Sequence, residues 1–580
     1  MADVESLKTE SAYLLGDLAE QLADAGDAFT PDATQLLKFH GSYQQDDRDV
    51  RKERAKQGLP RATTMMVRAS IPGGVLTAEQ YLAADALADE VSNGTLRITT
   101  RQGLQWHLIG KHDLKQLIRT LNDHLVTTLA ACGDVARNVC ACPAPLPGRD
   151  DLLPHAERLA VAVRPRSSAY WDLWLDGERA VSAVPPADDP EATARLGGDA
   201  VEPLYGPTYL PRKFKIGFAH EGDNCVDVYT NDVGLVPTRD AAGTIDGFVV
   251  LVGGGLGMTH NKPATYPRLA DPLATITPDE LVEVVETIIT VQRDHGDRSD
   301  RKHARMKYLI EDRGLDWFRG EVEARLGREL DAPRPLTWDD THDHLGWHRQ
   351  DLDDVAEAAA AEARWFLGVP VPSGRIQDLP GRTLRSAVRD LVRDLGLGVR
   401  FSARQDLLLT DVPASRREEV TRRLRDAGVP LVEDVPAVTR HALACPALPT
   451  CGLALTEAER ALPEVTDRLA KSLEEIGVGQ EPVHLRVTGC PNGCARPYST
   501  EIGVVGRGKD HYTVHLGGDA VGTRLNEIVA DRVHLDDLVP TLAPVFTAWR
   551  DDRADGETFG DWCERAGAEQ LRDLLGQAPS

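Results

Sequence analysis

Four cysteines in the last quarter of the chain have the residue type and the spacing of metal ligands. They form a C-x5-C pair and a C-x3-C pair, Cys445 with Cys451 and Cys490 with Cys494. Each pair lies in a loop-forming segment, ACPALPTCG or TGCPNGCARP. Proline and glycine keep such a backbone irregular, so that four thiolates can converge and nearby amides can donate to sulfur. This spacing predicts a [4Fe–4S] cluster in a redox enzyme.

Three other roles for the four cysteines are open at this point. Structural zinc prefers cysteine pairs separated by two to four residues, and C-x5-C lies outside that range. A disulfide is less expected, because the chain opens MADVESLKTE without a secretory signal. Unliganded buried thiols would not explain the local proline and glycine. A cluster is therefore favoured, and no role is assigned to Cys140, Cys142, Cys225 and Cys563.

Basic side chains in a strongly acidic chain could bind an anion. In RKFK, strand alternation would place Lys213 and Lys215 on one face, where two ammonium groups repel each other unless an anion lies between them. Arg68 and Arg137 stand out in the same way, although any one of the four taken alone is better read as a solvated charge. The glycine-rich VGGGLG at 252–257 permits close approach of the backbone to a flat or anionic ligand. Together these residues predict an anionic substrate.

Length and charge exclude several classes of protein. A chain of 580 residues is expected to form about two to four domains. A net charge of −25 argues against a nucleic-acid partner, and solubility in high intracellular salt is the other interpretation of this acidity. No apolar run is long enough to cross a bilayer. We therefore expect a cytoplasmic protein with no membrane partner.

The elements that must position these residues are duplicated. IPGGVL at 71–76 and LRITTRQGLQWHLIG at 96–110 match VPSGRI at 371–376 and VRFSARQDLLLTDV at 399–412. Each copy predicts a strand, a helix, a strand and a further helix. A weaker echo relates the segments that start at Cys140 and Ala444. Both copies share an R-x-x-x-R-Q core: Arg97, Arg101 and Gln102, and Arg400, Arg404 and Gln405.

Two local elements are predicted around the cysteines. Thr456 and Glu459 have the T-x-x-E spacing of a capping box at the start of a helix. VHLRVT, before the second pair, alternates as a strand does and would deliver that loop from the edge of a sheet.

These segments resemble the sirohaem-dependent sulfite and nitrite reductases. The resemblance rests on KFHGSYQQDDRD, TLRITTRQGLQWH, ACGDVARNV, TYLPRKFK, VGGGLG and TGCPNGCARP, in order from about Lys38 to FGDWCERAG near Gly560. It implies an α/β (α+β), three-lobed, pseudo-twofold fold with two ferredoxin-like half-domains and two sirohaem/Fe–S domains. The expected bounds are an N-terminal arm (1–60), a first ferredoxin-like repeat (61–130), a first sirohaem-binding domain (131–330), a linker (331–364), a second ferredoxin-like repeat (365–435) and a second domain for the [4Fe–4S] cluster and sirohaem (436–580).

The resemblance also implies residue roles. The four cysteines would ligate the cluster, with Cys494 bridging to the sirohaem iron. Arg68, Arg137, Lys213 and Lys215 would be the active-site bases around the substrate. Arginine forks bind carboxylates in bidentate fashion, and Arg101 is the best candidate for the carboxylates of sirohaem. The segments that would wrap the macrocycle contain Arg97, Thr99, Arg101, Gln105, His107 and Asn492.

The substrate and the electron donor follow from details of this resemblance. Nitrite reductases of the family typically have asparagine at the position of Lys215, and a second positive charge suits the dianion sulfite. We therefore expect six-electron reduction of sulfite to sulfide in sulfate assimilation, with reduction of nitrite to ammonia as the alternative. Because the repeats leave no room for a flavin or nicotinamide module, electrons must come from a separate partner. Ferredoxin is expected rather than an NADPH-dependent flavoprotein, docking on a basic patch near the cluster of a monomer. A non-catalytic tetrapyrrole-binding protein and a dissimilatory subunit are disfavoured.

One covalent modification is also implied by the resemblance. Some members of the family carry a tyrosine–cysteine thioether beside the sirohaem, and Tyr43 and Cys132 lie in the corresponding segments. An ordinary tyrosine beside a buried thiol is the alternative.

Overall fold

The computed structural model describes residues 4–149, 151–176, 202–350 and 363–576. The strands are β1 (Ser42–Asp46), β2 (Thr63–Arg68), β3 (Val75–Leu76), β4 (Leu96–Ile98), β5 (Leu104–Ile109), β6 (Cys140–Ala141), β7 (Ile216–Phe218), β8 (Gly222–Asp223), β9 (Val233–Arg239), β10 (Ile245–Val252), β11 (Asp271–Ile276), β12 (Trp338–Asp340), β13 (Gly346–Arg349), β14 (Arg364–Val369), β15 (Arg375–Ile376), β16 (Asp378–Leu379), β17 (Arg382–Thr383), β18 (Gly398–Phe401), β19 (Leu407–Pro413), β20 (Ala442–Ala444), β21 (Leu485–Thr488), β22 (Ile502–Gly508), β23 (His511–Leu516) and β24 (Glu527–His534).

The α-helices lie before, between and after these strands. They span Val4–Glu10, Leu18–Ala23, Pro31–Leu37, Arg51–Lys56, Ala78–Val91, Leu114–Asp123, Leu152–Ala162, Ala169–Trp174, Leu281–His295, Met306–Arg313, Leu315–Leu326, Leu384–Leu395, Arg417–Asp426, Ala437–Arg440, Leu462–Ile476, Leu538–Asp552 and Phe559–Leu574. Within the described part of the chain, none of them combines the length and the apolar character that crossing a membrane requires.

The two ferredoxin-like repeats exchange their shortest strands. One five-stranded sheet has the order β1-β2-β5-β4-β15, and the other has the order β13-β14-β19-β18-β3. The last strand of each sheet comes from the other repeat, because β15 pairs antiparallel with β4 and β3 pairs antiparallel with β18. A single hydrophobic core runs through both repeats. The repeats therefore depend on each other for backbone hydrogen bonds as well as for side-chain packing.

The R-Q cores predicted from the repeat lie at this exchange. Gln102 and Gln405 are buried and have φ values of 57° and 74°. The Gln102 amide donates to the carbonyl oxygen of Phe401 at 2.8 Å, and the Gln405 amide donates to that of Ile98 at 3.3 Å. Each glutamine thus satisfies a buried carbonyl group of the other repeat, which explains why the motif occurs twice.

The duplication extends to two larger sheets. Their strand orders are β11-β10-β9-β7-β6 and β20-β21-β22-β23-β24. In both sheets the three strands that come first in sequence are parallel, and two antiparallel strands complete the sheet. The register also matches, with Ala141 opposite Phe218 and Ala444 opposite Val487. The weak sequence echo after Cys140 and Ala444 therefore corresponds to equivalent strands.

The segments predicted as an arm and as a linker take part in the sheets. Within 1–60, β1 pairs with β2 over five residues. Within 331–364, β13 pairs with β14, although residues 351–362 lie outside the described residues. The physical reason is the same in both places, since the outer edge of each ferredoxin-like sheet offers backbone groups that an adjacent extended segment can pair with.

Candidate functional site

The two cysteine loops leave the same edge of one sheet. Strands β20 and β21 are parallel neighbours, so their carboxyl ends lie side by side. Cys445 directly follows β20, and Cys490 follows β21 after one residue. Cys445 and Cys490 are each 7% exposed, Cys451 is half-buried and Cys494 is exposed. The sheet therefore gathers the four predicted ligands into one region, with one of them open to its surroundings.

The four thiols lie close enough to influence one another. Burial raises the pKa of Cys490 to about 11, with further contributions from the charges of Cys494 and Cys451. Burial also raises the pKa of Cys445, and the other three cysteines add to that effect. A cationic centre would remove this penalty by binding the thiolates.

Amide groups donate to two of the sulfurs. The backbone N–H of Gly489 donates to Cys445 Sγ at 3.3 Å, and the side-chain amide of Asn492 is 3.6 Å from Cys490 Sγ. Hydrogen bonds to ligand sulfurs are typical of iron–sulfur sites. In the part of the chain that the structure describes, the four cysteine sulfurs do not all lie within 4.8 Å of one another. A tetrahedral zinc ion would hold its sulfurs about 3.8 Å apart, so the arrangement suits a larger cluster.

The predicted capping box is wrong. The helix after the first cysteine pair begins at Leu462, and Glu459 forms salt bridges with Arg97 and Arg375, both at 2.7 Å. The Thr456 hydroxyl donates to the Tyr512 hydroxyl at 3.2 Å. Two largely buried guanidinium groups outcompete a backbone amide for the carboxylate, because charge-assisted hydrogen bonds are stronger than neutral ones.

The predicted lysine pair faces the second cysteine loop. Lys213 and Lys215 lie just before β7 and are half-buried, whereas Phe214 between them is fully buried, so the predicted alternation is present. Burial, together with Arg101 and Arg305, lowers the pKa of Lys215 to about 7 against the opposing effect of Cys494. Among the described residues, neither ammonium group has a carboxylate within 4.0 Å or a hydrogen-bond acceptor, so both are available to an anionic ligand.

Arg137 and Arg68 reach the same region through Tyr43 and Cys132. Arg137 is one of the charges that lower the pKa of Lys213, after burial, Arg212 and Lys215. Arg68 Nη1 donates to Cys132 Sγ at 3.0 Å. Burial raises the pKa of Tyr43 to about 12, and Tyr43 is hydrogen-bonded to Cys132. The structure thus brings the four predicted bases together, and it puts the two residues of the predicted thioether in contact.

Several residues predicted to lie around a macrocycle also contact the sheet beneath the first cysteine loop. Arg97 is buried, forms the salt bridge with Glu459 and donates to Gln105 at 3.4 Å. His107 Nδ1 is 3.4 Å from Arg375, and burial, Arg375 and Arg97 hold its pKa well below the usual range, so it is neutral. These contacts fix the sheet beneath the first cysteine loop. Thr99 accepts hydrogen bonds from the amides of two turn residues, Arg101 and Gly103.

Arg101 and three arginines from elsewhere in the chain retain buried N–H groups. Arg101 donates to Asn231 at 2.8 Å and to the carbonyl oxygens of Asn138 and Ile216 at 2.5 and 2.8 Å. Its Nε has no partner, and a buried donor without a partner calls for an explanation. A carboxylate-rich ligand such as sirohaem fits these donors. Among the described arginines around the site, Nε is buried without a hydrogen-bond partner in Arg68, Arg101, Arg404 and Arg486.

Two of these arginines escaped sequence reasoning. Arg404 is the second-repeat counterpart of Arg101, so the R-x-x-x-R-Q core could have identified it. Arg486 lies in β21 and pairs with Asp227 at 2.9 Å, next to Arg496, which pairs with the same carboxylate at 2.6 Å. No local motif marks Arg486, because its partner Asp227 lies in the first half of the chain, whereas Arg496 lies within TGCPNGCARP.

The glycine-rich segment 252–257 packs against the second cysteine loop. Lys307 is buried and donates to the carbonyl oxygens of Gly255 and Gly257 at 2.9 and 3.1 Å, and the Met258 amide donates to Pro491 at 3.0 Å. A cleft of about 400 Å³ opens at this contact. Its lining combines predicted substrate-binding and cluster-binding residues with further cations: Lys213, Cys490, Asn492, Arg212, Arg301 and Arg305.

Comparison with known proteins bears on this geometry. Residues 59–124 and 358–427 match the model of the nitrite/sulfite reductase ferredoxin-like half domain, and residues 156–330 and 437–579 match that of the nitrite and sulphite reductase 4Fe-4S domain. A protein of Synechococcus elongatus named sulfite reductase [ferredoxin] is 44% identical over 99% of this chain and 91% of its own length. A sulfite reductase [NADPH] hemoprotein beta-component of Myxococcus xanthus is 42% identical over 98% of this chain and 97% of its own.

A solved structure gives the same result for the fold. The NirA protein of Mycobacterium tuberculosis matches with a TM-score of 0.76 at 25% identity, over 98% of this chain and 97% of that one. The predicted fold built from ferredoxin-like half-domains is therefore confirmed, as is the predicted family with its sirohaem and [4Fe–4S] cofactors. The matched segments cover most of the chain and include both cysteine loops, and the chain belongs to the nitrite and sulphite reductase family.

Proposed function

We propose that this chain reduces sulfite to sulfide with six electrons delivered by ferredoxin. The observation that carries the proposal is the pair of ammonium groups at the second cysteine loop, Lys213 beside Cys490 in the cleft and Lys215 near Cys494. Neither has a carboxylate within 4.0 Å among the described residues. Such a pair favours a small dianion over a monoanion. The relatives named as sulfite reductases support the same substrate.

The residues of this chain would hold both cofactors. Cys445, Cys451, Cys490 and Cys494 would ligate the cluster, and the exposed Cys494 is the one available to bridge to the sirohaem iron. The unpartnered N–H groups of Arg101 and its neighbours would bind the carboxylates of the macrocycle. When bound, the two cofactors supply the electron-transfer chemistry and the metal that holds the substrate.

The basic residues would bind the substrate and supply its protons. Arg68 and Arg137 carry permanent charges that hold the anion and donate hydrogen bonds to its oxygens. Lys215, with a pKa of about 7, can donate a proton and regain one near neutral pH. Reduction of sulfite consumes protons as its oxygens leave as water. A lysine poised in this way beside the substrate meets that demand.

Spectroscopy and kinetics on both substrates test this proposal. The purified enzyme should show a sirohaem absorption spectrum and should reduce sulfite with higher kcat/KM than nitrite when reduced methyl viologen supplies the electrons. Lys215→Asn should lower kcat/KM for sulfite by about 10²-fold, which is the usual cost of removing one transition-state donor, and should shift the preference towards nitrite. Lys302→Asn, a change at an exposed lysine that lines the cleft, is the matched control. An unchanged sulfite-to-nitrite ratio in Lys215→Asn would contradict the assigned role.

Ferredoxin as the donor rests on a different observation. Leu453, between Cys451 and the following turn, is 68% exposed and lines the same cleft as Lys302 and Arg301. An exposed leucine beside basic side chains suits the docking of an acidic protein close to the cluster. The Synechococcus relative is named for ferredoxin, although the Myxococcus relative is named for NADPH.

The donor can be tested separately from the chemistry. The double variant Leu453→Asp with Lys302→Glu should raise KM for ferredoxin and make it more sensitive to salt, while activity with methyl viologen stays at the wild-type level. Arg422→Glu, a charge reversal on the helix Arg417–Asp426, should leave KM unchanged. If the double variant and the wild type had equal KM for ferredoxin, the proposed docking site at Leu453 and Lys302 would be wrong.

A further inference from the structure

A second group of ligand-type side chains lies apart from the cluster cysteines. Cys142, Asp223, Cys225 and His344 are all buried, and one ligand atom from each lies within 4.8 Å of all the others. The group is distinct from the cluster cysteines and is not needed for the proposed reduction of sulfite. It is composed of two thiols, one imidazole and one carboxylate, a set that zinc commonly binds.

The separations within the group match tetrahedral zinc. Cys142 Sγ is 3.5 Å from His344 Nε2, and His344 Nε2 is 3.3 Å from Asp223 Oδ2. With usual zinc–ligand distances, tetrahedral angles would separate sulfur from nitrogen by about 3.6 Å and nitrogen from oxygen by about 3.4 Å. The side chains therefore already surround a point at which one ion fits.

Backbone contacts orient the carboxylate and the imidazole. Asp223 Oδ1 accepts from the amides of Cys225 and His342, both at 3.1 Å, which leaves Oδ2 directed at His344. His344 has a φ of 58°, a conformation that a residue other than glycine keeps only when its surroundings enforce it. A Cβ on Gly368 would collide with the carbonyl oxygen of His344, so the strand beneath is shaped for this close approach.

The surroundings of the group are apolar. Cys142 and Cys225 belong to a hydrophobic cluster that includes Val226, Phe366 and Leu408. Ionisable groups in such surroundings are costly unless they are paired or bound to a metal ion. A dication bound by two thiolates and a carboxylate would compensate most of the charge in this pocket.

The position of the group repeats that of the cluster cysteines. Cys142 directly follows β6, as Cys445 directly follows β20. Phe218 and Val487 are equivalent in register, and Cys225 and Cys494 each lie seven residues beyond them. Two of the four ligands therefore occupy the places of two cluster ligands in the other half of the duplicated fold.

We propose that Cys142, Asp223, Cys225 and His344 bind one structural zinc ion. His344 precedes β13 of the second ferredoxin-like sheet, whereas the other three residues follow β6 and β7 of the first large sheet in sequence. The four protein ligands fill the coordination positions of the ion, so that none is left open for a substrate. It links two modules across 202 residues of sequence.

Metal analysis of the holoenzyme tests the proposal. Protein purified without a metal-affinity tag should contain roughly one zinc ion per chain, four-coordinate as structural zinc usually is, besides the iron of its cofactors. X-ray absorption at the zinc edge should show sulfur together with nitrogen or oxygen neighbours. Absence of zinc, even after dialysis against zinc, would overturn the proposal. Zinc with only nitrogen and oxygen neighbours, or one extra iron in its place, would also overturn it.

Variants assign the ion to these residues. His344→Ala and Cys142→Ser should each weaken zinc binding by more than about 10- to 100-fold, the loss that changes outside the ligand set already cause. Cys563→Ser removes another buried cysteine, in the helix Phe559–Leu574, and should keep the zinc. Zinc retained in both ligand variants would refute the assignment. The iron-to-sirohaem ratio of each variant shows separately whether the cofactors are still bound. If the variants do not fold, the X-ray absorption measurement at the zinc edge of the wild-type protein decides the question.

Discussion

The two large sheets carry equivalent loops with different ligand sets. After β20 and β21, four cysteines lie in a set too open for one zinc ion, and Cys494 is exposed. After β6 and β7, the loops supply two cysteines and an aspartate, which together with His344 form a fully buried set within 4.8 Å. One scaffold thus supports two kinds of site, and the number of thiols and their spread decide which metal fits.

Cys494 and Cys225 occupy equivalent sequence positions in the two halves, and they differ in exposure. Cys494 is exposed and lies near Lys215, which we propose binds the substrate, whereas Cys225 lies inside a hydrophobic cluster. A site that exchanges electrons and substrate needs an opening, and a site that only holds the fold is more stable without one. We therefore expect changes at the cluster cysteines Cys445 and Cys494 to affect catalysis and changes at Cys142 and Cys225 to affect stability.

The largest expected difference is between variants of Cys445, which follows β20, and Cys142, which follows β6. Cys445→Ser should lose the cluster and with it essentially all reduction of sulfite, because one of four ligands is absent. Cys142→Ser should keep the sirohaem spectrum and the methyl viologen activity but should unfold at a lower temperature. Iron content, absorption spectra and thermal unfolding of the two variants measure this contrast. Equal losses of iron in both would mean that the two loops are not functionally distinct.

The next effect concerns the salt bridges that anchor the segment after the first cysteine pair. Glu459 lies between Arg97 and Arg375, and no metal would be needed to fix this segment. Glu459→Gln removes one charge and leaves two arginines poorly compensated, which should cost about 3–5 kcal/mol of unfolding free energy. Thermal unfolding of the holoenzyme measures the loss. Glu464→Gln, at a carboxylate in the first turn of the following helix, is the control.

A pH dependence tests whether the first sheet presents Lys215 to the second loop. Burial, Arg101 and Arg305 lower the pKa of Lys215 to about 7, so its positive charge is present below that pH and is lost above it. Above about pH 7, kcat/KM for nitrite should therefore fall by about tenfold per unit, since this parameter reports the free enzyme. Nitrite is the better probe because it remains a monoanion across this range. Lys215→Arg should flatten the profile, and an unchanged profile would assign the titration to another group.

The smallest effect concerns Thr456, which follows the first cysteine pair. Its hydroxyl donates to Tyr512 at 3.2 Å and accepts from the amide of Asp510 at 3.1 Å. Thr456→Val keeps the shape of the side chain and should cost about 1–3 kcal/mol, because a buried amide is left without its acceptor. Thermal unfolding should show a smaller shift than for Glu459→Gln, and Thr456→Ser should recover most of it. A shift as large as that of Glu459→Gln would contradict this order.

The sequence by itself was sufficient wherever the signal was local or repeated. The spacing of Cys445, Cys451, Cys490 and Cys494 predicted one gathered site, and the structure places their loops on one sheet edge. The paired R-Q cores predicted a duplication, and Gln102 and Gln405 lie at the strand exchange between the repeats. The sequence likewise predicted that Lys213 and Lys215 share one face, because this depends only on residues that are close together in the chain.

Tertiary structure decided the partners of residues that are far apart in the chain. Glu459 fits a capping box in sequence, yet it pairs with Arg97 at a separation of 362 residues, because charged groups outcompete a local amide. His344 and Cys142 carry no shared motif and meet only because two modules pack together. A local pattern reports only what a residue can do within its own segment, and long-range packing chooses among the partners available to it.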